Sequence, residues 1–383
     1  MQSVRILADD LTGALDTAAC FCGDTGPLAV VWDMQSVSPD KSLAYSSESR
    51  DLSEDEARKR AQAGAAILRA DAAISFKKID SLLRGHVAAE LAAVLSGNEF
   101  DSVVLAPAFP GLGRVTRQGR QWVRYAAGET PQLLGTDLAC DLARYGLAVQ
   151  CGPAASPAIT APAIWLPDAQ SDDDLRRIAE AAQSSGGRIL WCGTAGLAAA
   201  LAEHTAEIAP CPANRLLIVC GTNHPVALTQ MQSVREVDDS GIITCTPGGE
   251  QTAADAINCR LRAGSWAAFM PQLPMQSPAQ ASRDIHAMLA RLLPRLDKPD
   301  ALFAMGGETL HACCDVLAAK ALVVHGLYEA GLPVSALSGG AWDSVATYSK
   351  SGAFGGAHTL VGLIRNISLH SSQASRISGG IRH

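Results

Sequence analysis

The sequence predicts an α/β protein of two domains, each a mostly parallel sheet flanked by helices, with an interdomain cleft for ligands. Three observations carry that expectation. The chain's 383 residues exceed the size at which a single hydrophobic core stops growing. Short apolar or β-branched runs alternate with longer helical patterns, as in βαβ units. Pro210 and Pro212, one residue apart in Ile208–Asn214, interrupt helix and strand patterns alike. The expected N-terminal domain is 1–208, the linker 209–213 and the C-terminal domain 214–383.

In chain order, Val4–Ala8, Leu28–Trp32, Leu43–Tyr45, Ile74–Lys77, Val103–Ala106 and Ile189–Cys192 read as strands of the first domain. Helices fit between them. Ser53 with Glu56 three residues on forms a capping-box pattern ahead of an Ala-rich stretch to Arg69, and Ser171 followed by three aspartates sets acids in a first helical turn, where the dipole favours them. After the proline break, Leu216–Cys220, Ile242–Cys245, Ala267–Met270 and Ala301–Met305 resume the alternation. Val334–Leu337 and Val345–Tyr348 form a last strand pair around a glycine turn at Ser338–Trp342, and the Ser/Gly-rich tail from Ser368 to His383 is expected to fray.

Composition narrows the function. With 48% apolar and 18% charged residues the chain can bury large cores. A net charge of −7 argues against a nucleic-acid partner, which calls for a basic face. Eleven cysteines show no zinc-type spacing and read as small buried residues in a reducing compartment. The N-terminal apolar run ends in two acids and is too short for a signal peptide, and no apolar stretch approaches the ~20 residues that span a bilayer. A cytoplasmic protein without membrane partners is expected.

Two polar clusters stand at strand ends of the first half. The first strand runs into Asp9-Asp10-Leu11-Thr12-Gly13-Ala14, at the edge where open α/β sheets bind ligands. Capping of the next helix accounts for one of these acids, whereas two adjacent carboxylates repel unless a cation, proton or ligand hydroxyl meets them. The second cluster, Lys77-Lys78-Ile79-Asp80-Ser81-Leu82-Leu83-Arg84-Gly85-His86, sets cations where they can hold a carboxylate or a phosphoryl group; a solvated charged face explains the spacing equally well. Arg50 follows another short strand and can converge on the same edge.

The second half carries glycine turns after strands: Gly221-Thr222-Asn223, Gly306-Gly307-Glu308-Thr309 and Ser351-Gly352-Ala353-Phe354-Gly355-Gly356. Glycine lets backbone N–H groups approach phosphate oxygens, although plain tight turns explain each one separately. Neither the P-loop pattern nor the dinucleotide fingerprint is present.

Taken in order, these segments resemble the four-carbon acid sugar kinase family, whose members act on threonate, erythronate or 3-oxo-tetronate. The matching stretches are Ile6–Ala14, Glu48–Arg50, Lys77–Gly85, Pro107–Arg114, Gly193–Leu197, Gly306–Thr309 and Lys350–Gly355. Leu83 stands where the family commonly has Thr, His86 where Asn is usual, and Asn223-His224 replaces a Ser-rich turn. The resemblance implies an ATP-dependent kinase whose N-terminal domain binds the acid through Asp10, Arg50, Lys78, Ile79, Asp80 and Ser81. It implies a C-terminal domain that binds ATP through Thr222, Gly306, Gly307, Glu308, Thr309, Gly352, Ala353, Phe354 and Gly355.

Phosphoryl transfer asks for an aligned hydroxyl and neutralised charge. The expected base is Asp10, with Asp9 and Asp80 as rivals; Arg50 and Lys78 would grip the carboxylate, Arg84 the carboxylate or transferring phosphate, and Glu308 would hold Mg²⁺ through water. The expected partners are the sugar acid and ATP, and homo-oligomerisation is left open. A sugar-acid lyase or dehydratase using Lys78, and a non-catalytic sensor of metabolite and nucleotide, stay open as alternatives.

Overall fold

In the computed structural model the described residues are 3–37, 42–68, 72–97, 100–125, 128–154, 163–209, 213–352 and 354–366. The expected prolines at 210 and 212, the end of the second helix at Arg69, Ala353 and the tail from Ser368 lie outside them. The chain divides into two compact units, Met1–Ala206 and Glu207–His383. No helix among the described residues is long and apolar enough to cross a membrane.

The first unit is built on strands β1 (Val4–Ala8), β2 (Leu28–Val31), β3 (Leu43–Ser46), β4 (Ile74–Lys78) and β5 (Ser102–Ala106). A separate antiparallel sheet follows, of β6 (Arg114–Arg117), β7 (Arg120–Val123) and β8 (Gln132–Leu133). The main sheet is completed by β9 (Val149–Gly152), β10 (Ala163–Pro167) and β11 (Ile189–Gly193). Its order is β2-β3-β1-β4-β11-β5-β10-β9, with parallel pairing throughout. Helices α1 (Leu11–Thr25), α2 (Glu54–Leu68), α3 (Val87–Leu95), α4 (Leu138–Ala143), α5 (Asp172–Ser185) and α6 (Ala195–Leu201) connect the strands.

Local chemistry explains these elements. The five residues of β1 are all buried, as a central parallel strand covered on both faces requires. Asp10 caps α1 by accepting from the Gly13 N–H, and Ser171 with Asp174 forms a complete capping box on α5. Gly64 lets α2 lie close on β1, since a Cβ there would come within 2.6 Å of Leu7 Cδ1. Phe21 of α1 meets Phe76 of β4 edge to face at 6.3 Å, a favourable arrangement for aromatic quadrupoles.

The second unit has strands β12 (Leu216–Cys220), β13 (Ile242–Cys245), β14 (Trp266–Pro271), β15 (Ala301–Met305), β16 (Ala321–Glu329), β17 (Leu332–Ser338) and β18 (Ala346–Lys350), with helices α7 (Pro225–Val237), α8 (Glu250–Arg262), α9 (Pro278–Leu292) and α10 (Gly307–Val316). Strand order is β13-β14-β12-β15-β18-β17-β16. The first five are parallel and the last two join antiparallel. Ile218, Phe303, Tyr348, Met231 and Leu360 are buried together in one core on this sheet. Both units are thus α/β with mostly parallel sheets, as expected. The small sheet β6–β8 and the strands β9, β10 and β16 were not expected; those of the small sheet are short and broken by polar residues.

Candidate functional site

Parallel register brings three strand ends of the first unit side by side. Ala8 of β1 pairs with Ser46 of β3 on one flank and with Lys78 of β4 on the other. The segments that follow, Asp9–Asp10, Ser47–Arg50 and Ile79–Arg84, therefore emerge together at the carboxyl edge, where ligands of open α/β sheets bind. Two loop residues there, Glu48 and Leu83, sit in the left-handed region at φ 48° and 57°, a conformation costly for side chains of this kind and commonest where structure is set by function.

Arg50 organises the acids. Its Nε and Nη2 donate to Asp9 Oδ2 and Oδ1 at 2.9 and 2.8 Å, and Nη2 also donates to Asp10 Oδ1 at 2.6 Å. Burial alone would raise the pKa of Asp9, but the charge and hydrogen bonds of Arg50, helped by Lys77 and Lys78, outweigh it and hold the carboxyl below its ordinary value. Asp10 is committed too: its Oδ2 accepts the Thr12 hydroxyl at 2.6 Å and its Oδ1 the Gly13 N–H at 3.0 Å. Asp80 takes a two-point pair from Arg84, at 3.0 and 2.7 Å. Against the opposing effect of burial, Arg84 and Arg50 drive the Asp80 carboxyl far below the usual range.

Other cations are less committed. Lys78 Nζ donates to the Ile79 carbonyl at 2.9 Å and has no carboxylate partner among the described residues. It lies 3.0 Å from where a Cβ on Gly13 would stand, so the bare face of that glycine makes room for it. Arg114, which sequence reasoning did not assign, starts β6 beside this edge, and its buried Nε has no hydrogen-bond partner. Burial lowers its pKa while Asp80 opposes. Behind the edge Lys77 pairs with Glu90 at 2.7 Å, both nearly inaccessible, and Glu90 also accepts from Ser49 at 2.9 Å.

Of the expected substrate contacts, Asp10, Arg50, Lys78, Asp80 and Arg84 come together at this edge. Ser81 joins them, its carbonyl held by Gln121 of β7 at 3.1 Å. Ile79 has a buried side chain, its N–H donates to Gly193 O and its carbonyl is taken by Lys78, so it presents no polar group. His86, in place of the family's usual Asn, bonds the Leu52 carbonyl through Nε2 at 2.7 Å.

Asp16 was missed. It lies on α1, 8% exposed, and its buried Oδ1 has no hydrogen-bond partner. Burial pushes its carboxyl up to about 7, with Asp10 adding to the rise and Lys78 and Arg50 opposing it. The signal that could have found it is its spacing: three and four residues after Gly13 and Thr12, on the same helix face.

The second unit gathers its glycine turns in the same way. Cys220 pairs with Met305, and Met305 with Lys350, so the turns after β12, β15 and β18 share one carboxyl edge. Gly306, at φ 104°, donates its N–H to Lys350 O at 3.0 Å. It begins α10 without any side-chain cap, which leaves first-turn N–H groups for an anion. A Cβ on Gly352 would come within 3.0 Å of Thr222 Oγ1 and 2.9 Å of His224 Cβ. Thr222 Oγ1 accepts the His224 N–H at 3.2 Å, and Thr309 is buried behind Gly221. Gln230 holds the carbonyls of Phe354 and Gly356 at 3.2 and 2.9 Å, with Gly355 between them at φ 82°.

Lys350 itself is 1% exposed. Its Nζ donates to the carbonyls of Ser351 and Gly352 at 3.1 and 3.3 Å and has no carboxylate partner among the described residues. Burial lowers its pKa to about 8, with Cys220 opposing. Exposed Glu308, in the first turn of α10, accepts the Ser282 hydroxyl at 2.9 Å.

Comparison with known proteins follows this division. A model of a sugar-binding N-terminal domain matches residues 4–141, and one of a nucleotide-binding C-terminal domain matches residues 270–360. A D-threonate kinase of Cupriavidus necator is 30% identical over 94% of this chain and 96% of its own. One of Bordetella bronchiseptica is 28% identical over the same shares. A solved structure from Salmonella typhimurium LT2 superposes with a TM-score of 0.73 at 17% identity, covering 97% of this chain and 100% of that one. A Haemophilus influenzae structure gives 0.66 at 17% identity over 96% and 100%; at such identity these two speak for the fold. The chain belongs to the four-carbon acid sugar kinase family, and is a phosphotransferase whose acceptor is a hydroxyl group.

Proposed function

We propose that this enzyme transfers the γ-phosphoryl group of ATP to a hydroxyl of a four-carbon sugar acid, with threonate the first candidate. The observation that carries the reading is the gathering of Lys78, Arg84 and Arg114 around committed acids at one strand edge, in a chain whose near full-length relatives are D-threonate kinases. A small hydroxy acid needs cations for its carboxylate and acceptors for its hydroxyls. Lys78, without a carboxylate of its own, is the main grip on the substrate carboxylate; Arg84 and Arg114 lie beside it, while Arg50 contributes its charge and fixes Asp9 and Asp10.

ATP would sit in the second unit, its phosphates against the uncapped start of α10 and the Gly352–Gly355 turn, with Lys350 as their cation. Mg²⁺ fits this arrangement through Glu308, an exposed oxygen donor at the start of α10; such ions are held by one or two carboxylates plus substrate phosphates and keep several waters. When bound, the ion would neutralise charge on the β- and γ-phosphates.

ADP release should be measured with ATP and Mg²⁺ across stereoisomers of threonate, erythronate and their oxo acids. Turnover with at least one four-carbon acid, well above that with three- and six-carbon acids, is expected. No ADP release above background with any four-carbon acid would overturn the reading.

A further inference from the structure

We propose that Asp16, rather than Asp10, accepts the proton of the attacking hydroxyl; the inference rests on the kinase reading above. The three acids that sequence reasoning favours are occupied. Asp9 is locked to Arg50, Asp80 to Arg84, and Asp10 is held by Arg50, Thr12 and the start of α1. Carboxylate oxygens already filled by several donors have little acceptor capacity left for a substrate hydroxyl.

Asp16 differs on each count. It is buried, with an unpartnered Oδ1. Helical side chains lean toward the N-terminus, so one at position 16 covers the turn that contains Gly13. Gly13 has no side chain, and Lys78 Nζ stands against its bare face. Asp16 therefore lies beside the cation that would hold the substrate carboxylate, at the end of α1 nearest the acid cluster. Its raised pKa, about 7, suits a base working near neutral pH.

The charged groups around it are Lys78 from the end of β4, Arg50 from the segment after β3 and Asp10 before α1. Cys20 lies one turn on, its thiol pushed up to about 12 by burial and by Asp16. Helix α6, packed on α1, carries no titratable side chain between Ala195 and Leu201. In the step itself the hydroxyl oxygen bonds to the γ-phosphorus, and the bond from that phosphorus to the β–γ bridging oxygen breaks. The bridging electron pair leaves on ADP, the hydroxyl proton passes to the Asp16 carboxylate, and water later takes it away.

The test compares wild type with Asp16→Asn on the best four-carbon acid. The expected result is a kcat lowered by ~10²-fold or more, with both KM values little changed and no remaining acid limb in the kcat/KM profile. In the wild type, kcat/KM should fall about tenfold per pH unit below about 7. An Asp16→Asn enzyme with near-normal kcat would overturn the assignment while leaving the kinase reading intact, whereas a wild type inert toward every acid overturns the reading itself. Circular dichroism checks folding; if the variant does not fold, a wild-type kcat/KM that stays flat between about pH 5.5 and 8 overturns the proposal and a limb near 7 supports it.

Discussion

Arg50 and Asp9 form a buried two-point ion pair, with Nε and Nη2 at 2.9 and 2.8 Å from the two carboxylate oxygens. Asp9 is 3% exposed, so loss of its partner leaves a charge stranded in a low-dielectric strand end. Arg50→Ala should therefore cost about 3–5 kcal/mol of stability, read by urea unfolding at pH 7. Adding Asp9→Asn should restore most of it. Because the folded pKa of Asp9 is lowered, the pair's contribution is present above the ordinary carboxylate pKa of 3.8 and is lost as pH falls through the lower folded value. An Arg50→Ala protein as stable as wild type at pH 7 would show that Asp9 has found another partner.

The same reasoning applies one layer deeper. Lys77 and Glu90 are 1% and 2% exposed in their side chains and meet at 2.7 Å. Lys77→Met should destabilise by about 3–5 kcal/mol, and the double variant Lys77→Met with Glu90→Leu should recover most of that loss, since a buried pair replaced by apolar groups is often near neutral. A double variant no more stable than the single one would mean that Glu90 is held for its bond with Ser49 instead. Denaturant midpoints of the three proteins decide it.

Much of this architecture was legible because parallel strands announce themselves. Buried runs such as Leu216–Cys220 and Ala301–Met305 are continuous and apolar, and each ends in a polar or glycine-rich turn that a sheet must carry to one edge. The acids, Arg50 and the segment from Lys78 were legible for the same reason. What escaped were properties set by tertiary partners. That Asp9, Asp10 and Asp80 are occupied while Asp16 keeps an unpartnered Oδ1 depends on Arg50 and Arg84 choosing partners 41, 40 and 4 residues away, which no local pattern encodes. The small sheet β6–β8, which delivers Arg114 and Gln121, escaped because its strands are short and polar.

Gly306 gives a local test of the proposed nucleotide edge. Its φ of 104° suits glycine alone, and an added Cβ would meet Thr222 Cβ and Thr309 Oγ1 at 3.3 Å. Gly306→Val should shift the turn and crowd the start of α10, weakening ATP binding by at least about tenfold, or ~1.4 kcal/mol. Binding of the acid to the first unit should change little. Calorimetry with each ligand separates the two, and unchanged ATP affinity would remove this turn from the nucleotide site.

Lys350 ties stability to binding in opposite directions. Its pKa falls from 10.5 in the unfolded chain to about 8 in the fold because burial disfavours the ammonium. Between these values the unfolded state binds more protons, so the lysine's contribution to stability rises with pH from about 8 to 10.5 and is at its worst below 8. At pH 7 the buried charge costs on the order of 3 kcal/mol, from ~1.4 kcal/mol per pKa unit. Lys350→Met should therefore melt higher than wild type at pH 7 and the gap should close toward pH 10. The same charge is what the ATP phosphates would meet, so the variant that gains stability should lose nucleotide affinity. In the wild type, ATP binding should take up a proton above about pH 8, and its affinity should weaken by up to about tenfold per unit there. Calorimetry in two buffers of different ionisation enthalpy reads that proton directly. A variant less stable than wild type at pH 7, or an ATP affinity that stays constant from about pH 7 to 9.5, would mean that the Lys350 ammonium is compensated within the fold and does not serve the phosphates.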